Sequence, residues 1–189
     1  MPSSLKVLDW RGCPLKTLPL NNHLDEIVDL KLSHSKIEQL WHGTQYFVCF
    51  SILFFFYQFL ENLNSINLSF SMSLKQLPDF VGVPNLESLV LDGCTSLTEI
   101  HPSLLSHKKL VLLNLKGCKK LKTLPCKIEM SSLKVLLLSG CCEFKHLPEF
   151  NESMKNLSQL YLEETAITKL PSSLGFLESL TLLDLENCK

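Results

Sequence analysis

The chain is predicted to fold as a leucine-rich-repeat solenoid. This is an α/β repeat in which a curved parallel β-sheet lines the concave face and short 3₁₀ or α turns form the convex face. Three observations predict it. A template, L-x-x-L-x-L-x-x-C/S/T-x(1–2)-L-x-x-L-P, recurs eight times. Successive copies start 22, 36, 23, 24, 23, 24 and 23 residues apart. The L-x-L centre of each copy alternates with the period of a strand, and it is too short to bury its leucines unless a neighbour covers them.

The copies run in order along the chain. "LKVLDWRGCPLKTLP" begins at Leu5, "IVDLKLSHSKIEQLW" at Ile27, "LNSINLSFSMSLKQLP" at Leu63 and "LESLVLDGCTSLTEI" at Leu86. "LVLLNLKGCKKLKTLP" follows at Leu110, "LKVLLLSGCCEFKHLP" at Leu133, "LSQLYLEETAITKLP" at Leu157 and a shortened copy, "LTLLDLENCK", at Leu180. Residues 1–45 therefore hold repeats 1 and 2, and residues 59–189 hold repeats 3 to 8, the last truncated. Inward positions such as Leu110, Leu113, Leu115, Leu121 and Leu124 form the expected core. Stretches between repeats, such as "CKIEMSS" and "SSLGFLES", are too short for long helices and are expected to form 3₁₀ turns or one- to two-turn helices. Pro19, Pro78, Pro125, Pro148 and Pro171 follow the last leucine in five of the copies, where no ladder donor is needed.

Cys13, Cys94, Cys118, Cys141 and Cys188 all lie eight residues after their repeat's first leucine, in a column completed by Ser35, Ser71 and Thr165. The expected role is a structural ladder of small side chains that hydrogen-bond backbone groups where each strand turns. A thiol serves as a weak donor in such a place and otherwise packs as a small hydrophobe. No C-x-x-C pair supports zinc, so the thiols are expected to be reduced and no metal or cofactor is expected. Cys142 and His146 read as loop residues. Reduced thiols and a start without a signal-peptide pattern fit an intracellular protein, so a cytoplasmic location is expected, with the nucleus as the alternative. A net charge of −1 provides no field to recruit nucleic acid or an anionic membrane. No phosphate-binding loop, dinucleotide fingerprint, zincin motif or nucleophile elbow occurs, so neither an enzyme nor a small-molecule binder is expected.

Within each strand the non-leucine positions face the concave side, where solenoids bind proteins. The candidate binding residues there are Asp9, Arg11, Asp29, Lys31, Asn67, Leu112, Asn114, Lys116, Val135, Leu137, Tyr161, Glu163 and Asp184. The middle of this face, around Leu112, Val135 and Leu137, is apolar for an exposed sheet. Charge is also uneven: residues 101 to 128 carry seven lysines and no acid, whereas residues 149 to 186 carry seven acids and two lysines.

"SLKVLDWRGCPLKTLP" with "IVDLKLSHSKIEQLWHGTQ", and "YLEETAITKLPSSLGFLESLTLLDLENCK" further on, resemble the repeat region of plant intracellular disease resistance proteins of the TIR-NBS-LRR class. The resemblance covers the chain outside residues 46–58, and Trp41-His42-Gly43-Thr44-Gln45 is far more specific than leucine spacing alone. It implies a module that recognises a pathogen effector or a guarded host protein and restrains a nucleotide-binding switch. Full members of the class also carry an NAD-cleaving TIR domain and a P-loop, whose motifs are not in this sequence. The chain is therefore expected to be a fragment. Two other readings stand beside it: the truncated product of a damaged or mis-spliced gene with no independent activity, and the substrate-binding repeats of a ubiquitin-ligase adaptor. Adaptor repeats are usually longer and lack the L-P rhythm.

"YFVCFSILFFFYQ", residues 46–58, breaks the pattern as a foreign hydrophobic insertion. Removing it brings the 36-residue spacing down to the 23 of its neighbours. It is shorter than the roughly 20 apolar residues of a membrane span. Its residues can be written in thymine-rich codons, and its closing Gln fits CAG, which reads as the end of a retained intron. The alternative is a genuine hydrophobic loop.

Overall fold

The repeats build ten short strands, seen in a computed structural model that describes residues 4–19, 24, 26–41, 60–125 and 127–188. They are β1 (Val7–Asp9), β2 (Asp29–Lys31), β3 (Ser65–Asn67), β4 (Ser88–Val90), β5 (Leu112–Asn114), β6 (Lys127–Ile128), β7 (Val135–Leu137), β8 (Glu149–Phe150), β9 (Gln159–Tyr161) and β10 (Leu182–Asp184). Eight of them form one parallel sheet in the order β1-β2-β3-β4-β5-β7-β9-β10. The register never slips. Leu8, Leu30, Ile66, Leu89, Leu113, Leu136, Leu160 and Leu183 are partners in a single row across all eight repeats.

That row is the middle of the core. Each central side chain points away from the displayed sheet face, flanked along the chain by two further large apolar residues of its repeat, leucines in most copies. Leu110, Leu113, Leu115 and Leu121 are wholly buried and Leu124 nearly so. Burial depends on cover from both neighbours. Five residues past the first leucine, Leu32, Leu68, Leu91, Leu115, Leu138 and Leu162 are inaccessible, but Trp10 and Leu185 in the outermost repeats are 36% and 37% exposed. The same position of the repeat is core or surface according to whether another repeat stacks on it.

The convex side is only partly as expected. Short 3₁₀ helices occur at Pro102–Ser106 and, as foreseen for "SSLGFLES", at Ser172–Phe176. "CKIEMSS" does not form one. There β6 pairs in parallel with β8, Lys127 opposite Glu149 and Ile128 opposite Phe150, because extending both segments buries Ile128 and Phe150 together. The two helices share a device that joins repeats. Ser103 Oγ accepts from Phe80 N (2.9 Å), and Ser173 Oγ accepts from Phe150 N (2.8 Å). An aromatic row runs beneath, Trp41 edge-on to Phe80 and Phe80 edge-on to His107. His107 is buried, its Nε2 lies 3.1 Å from the Phe80 carbonyl, and burial holds its pKa down.

β2 and β3 pair in the same register as every other neighbour, although 36 residues separate their repeats. On either side of the long connection the stacking is also regular: Trp41 Nε1 donates to the Asp79 carbonyl (3.3 Å), and Leu60 N donates to the Gly82 carbonyl (2.7 Å). The proposed insertion at 46–58 lies outside the described residues. Across the joint, Glu38 is held between Lys16 and Lys75 at 2.8 and 2.6 Å, and hydrogen bonds from both lysines lower its pKa to about 2.

Deleting residues 46–58 is expected to leave a cooperative fold with a melting temperature no lower than that of the parent. A lower melting temperature would mean that the segment is an integral part of the fold. Leu113→Ala, in a repeat covered on both sides, is expected to destabilise by about 2–5 kcal/mol in denaturant titrations.

Candidate protein-binding face

Each strand of the eight-stranded sheet is followed by a turn with the same left-handed position, and this turn sets which side chains the sheet displays. Seven residues past the first leucine the backbone enters the left-handed region in all eight repeats: Gly12, His34, Phe70, Gly93, Gly117, Gly140, Glu164 and Asn187, with φ between 56° and 72°. One residue later the backbone N–H closes the turn on the carbonyl five past the first leucine, as in Cys94 N to Leu91 O (3.1 Å) and Cys118 N to Leu115 O (3.1 Å). This is the geometry that favours glycine at the third turn position. Sequence reasoning missed the column, although its four glycines were a usable signal.

The expected ladder is built on that turn. Cys94 Sγ donates to Leu68 O, Cys118 Sγ to Leu91 O, Cys141 Sγ to Leu115 O and Cys188 Sγ to Leu162 O, all at 3.2–3.3 Å. Ser71 Oγ reaches Leu32 O at 3.1 Å and lies 2.8 Å from Ser35 Oγ. Thr165 bonds instead to the carbonyl of its own Leu162 (2.7 Å). Cys13 is buried in the same column of the first repeat. All these thiols are free; burial pushes Cys94 and Cys141 up to about 12 and Cys118 further still. Cys142 is an exposed turn residue, whereas His146, also exposed, forms an isolated parallel bridge with Thr123 rather than lying in a loop as expected.

The candidate binding residues do fall on one face, but they are not equivalent. Asn67 Oδ1 accepts from Ser69 N and Ser69 Oγ, Asn114 Oδ1 from Lys116 N, and Asp184 Oδ1 from Glu186 N. These three side chains are engaged in turning the chain, which local side chain–backbone bonding does well. Asp29 pairs with Lys31 at 2.8 Å, and Arg11 Nη2 donates to His34 Nε2 at 3.3 Å. Asp9 and Lys116 are exposed. Leu112, Val135, Leu137 and Tyr161 are half-buried, side by side on β5, β7 and β9, with Leu112 opposite Val135 and Leu137 opposite Tyr161. The Tyr161 hydroxyl donates to Gln159 Oε1 at 3.4 Å. Glu163 Oε2 and Asp29 Oδ1 are shielded from solvent without a hydrogen-bond partner.

Among the described residues there is no group of three His, Cys, Asp or Glu side chains able to hold a metal ion, and no helix long and apolar enough to cross a membrane. The architecture is that of a repeat module.

A family model described as Leucine Rich Repeat matches residues 28–45. The chain is 37% identical over 189 residues to disease resistance protein RPP2A of Arabidopsis thaliana, an alignment covering all of this chain and 13% of that protein. It is 34% identical over 175 residues to TMV resistance protein N of Nicotiana glutinosa, covering 92% of this chain and 14% of the relative. The chain thus spans only a small part of the curated relatives it matches. Among solved structures, the leucine-rich repeat domain of the type III effector XopL aligns with a TM-score of 0.59 at 21% identity, over 96% of this chain and 69% of that one. That likeness shows the fold.

Cys118→Ser is expected to change stability little, since serine already occupies this column at Ser35 and Ser71. Native Cys94, Cys118 and Cys141 should resist thiol reagents; rapid labelling would contradict their burial. Their raised pKa values fix a sign as well. The unfolded chain releases these protons near pH 9 and the folded chain only near 12 or above, so stability is intact below pH 9 and falls as pH rises through that window. Cys118→Ser should flatten that alkaline fall.

Proposed function

We propose that this chain, a leucine-rich-repeat region homologous to those of plant disease resistance proteins, works as their recognition and restraint surface. It would bind a pathogen effector or guarded host protein and hold a nucleotide-binding switch inactive, in the cytoplasm or nucleus. The homology supports a protein-interaction role in plant immunity. The observation that carries the finer reading is the half-buried cluster of Leu112, Val135, Leu137 and Tyr161 at the centre of the sheet face.

Apolar side chains in the middle of a sheet face, beside an amphipathic tyrosine, are the kind of centre on which interface energy concentrates. Glu163 stands two residues beyond Tyr161 with one carboxylate oxygen shielded and unpartnered. A donor brought by a partner would remove that cost. Lys116 extends the face on its basic side. The competing reading, a product with no independent activity, draws on residues 46–58 and leaves this surface unused.

Tyr161→Ala combined with Lys116→Glu leaves the leucine core untouched, so the melting temperature should change little. Binding to an effector or to a nucleotide-binding domain should weaken by about 1–3 kcal/mol in calorimetry. In a full-length receptor, loss of restraint should appear as signalling without a pathogen. Lys155→Ala, on the opposite side and paired with Glu178 at 3.1 Å, is the control. Equal effects from the two variants would remove the sheet face from the function.

A further inference from the structure

We infer that the partner segment seated on the sheet face carries a basic side chain, arginine or lysine, directly beside its apolar anchor, and that Glu163, Asp184 and Glu186 receive it. The inference rests on the reading of this face as the binding surface and names the chemistry of its partner.

Tyr161 marks a boundary on the face. On one neighbouring strand it is opposite Leu137, and on the other it is opposite Asp184. The apolar half runs back from it through Leu137, Val135 and Leu112 on β7 and β5. The other half is acidic. Glu163 follows Tyr161 by two residues and so projects to the same side of the sheet, about 7 Å along the strand. Glu186 holds the equivalent place one repeat on, and Glu164, in the turn after β9, is exposed.

No cation of the described residues neutralises this charge. Between Leu157 and Cys188 the sequence holds one cation, Lys169, which lies beyond the ladder residue Thr165 and off the strand. Lys116 follows β5, two strands away from β9, or roughly 9–10 Å. The hydrogen bonds these acids accept come from neutral groups: Asp184 Oδ1 from Glu186 N at 2.9 Å, and Glu186 Oε1 from Asn187 Nδ2 at 3.5 Å. Glu163 Oε2 is shielded from solvent with no partner at all.

Carboxylates gathered in this way repel one another, and a shielded one without a donor costs free energy. No group of His, Cys, Asp and Glu among the described residues is placed to relieve this by holding a metal ion. A guanidinium or ammonium from a partner relieves it. Placed beside Tyr161, the cation meets Glu163 along the same strand and Asp184 on the next, while the apolar residue next to it covers Leu137 and Leu112. Its charge then points away from Lys116, which sets the direction in which the segment lies. Nucleic acid and anionic membrane surfaces are repelled by the same carboxylates.

The test uses the full chain and a fluorescein-labelled peptide with two leucines followed by two arginines, read by anisotropy. The same peptide with glutamines, and with glutamates, in place of the arginines gives the comparison. The wild type should bind the arginine peptide about tenfold more tightly than the glutamine one, and added salt should narrow that gap. The glutamate peptide should bind least. Glu163→Gln with Glu186→Gln should close the gap without lowering the melting temperature. Glu143→Gln with Glu152→Gln, which removes two carboxylates elsewhere, should leave it unchanged. Tyr161→Ala should weaken the arginine and glutamine peptides alike. The inference is overturned if the wild type does not distinguish the peptides, or if the Glu163 and Glu186 variant still prefers arginine. When either result comes with weaker binding by Tyr161→Ala, the face remains the binding surface and only its charge preference fails. Unchanged binding by Tyr161→Ala would instead remove the face itself, and both readings with it.

Discussion

At Leu68, Leu91, Leu115 and Leu162 the carbonyl five residues past the repeat's first leucine accepts hydrogen bonds from two repeats, and the solenoid is organised around that sharing. One comes from its own repeat's backbone three residues on, the other from the ladder side chain of the next repeat. Leu91 O takes Cys94 N and Cys118 Sγ, and Leu115 O takes Cys118 N and Cys141 Sγ. A buried carbonyl left half-satisfied would cost free energy, so both donors must be in place. The first donor requires a left-handed residue in the turn. The second requires a small side chain with a proton to give, standing one repeat away.

Where it is made, this joint helps hold the leucine row in register while the chain between strands varies in form. The joint is made at the turn, so the convex connection is free to be a 3₁₀ helix at Pro102–Ser106 or a β-pair at β6 and β8. The requirements of the turn also divide the sheet face into two kinds of polar residue. Asn67, Asn114 and Asp184 serve the turn by holding the N–H two residues on, whereas Lys116, Glu163 and Tyr161 are displayed by it. A face built this way can change its displayed residues without disturbing the core, which suits a module that binds proteins.

The leucines, the ladder and the parallel sheet were legible in the sequence because each is a column repeated at constant spacing, and repetition turns weak local preferences into a clear pattern. Cys94, Cys118 and Cys141 could be assigned to burial from their position alone. The candidate face was legible only as a set of columns. Spacing does not reveal that Asn114 is occupied by Lys116 N while Leu112, one strand-width from Val135, joins an apolar centre.

What the amino-acid sequence determined by itself was the repeat: its period, its inward leucines and its donor column, since these follow from side-chain volume and hydrogen-bonding capacity at fixed spacing. Only the tertiary structure decided how repeats meet outside the template. It extended 127–128 and 149–150 into a β-pair, set Phe70 against His34 and Gly93, and left Trp10 and Leu185 partly bare in columns that are core elsewhere. The reason is physical. Burial and stacking belong to pairs of neighbouring repeats, and a single repeat's sequence carries no record of what the next one places against it.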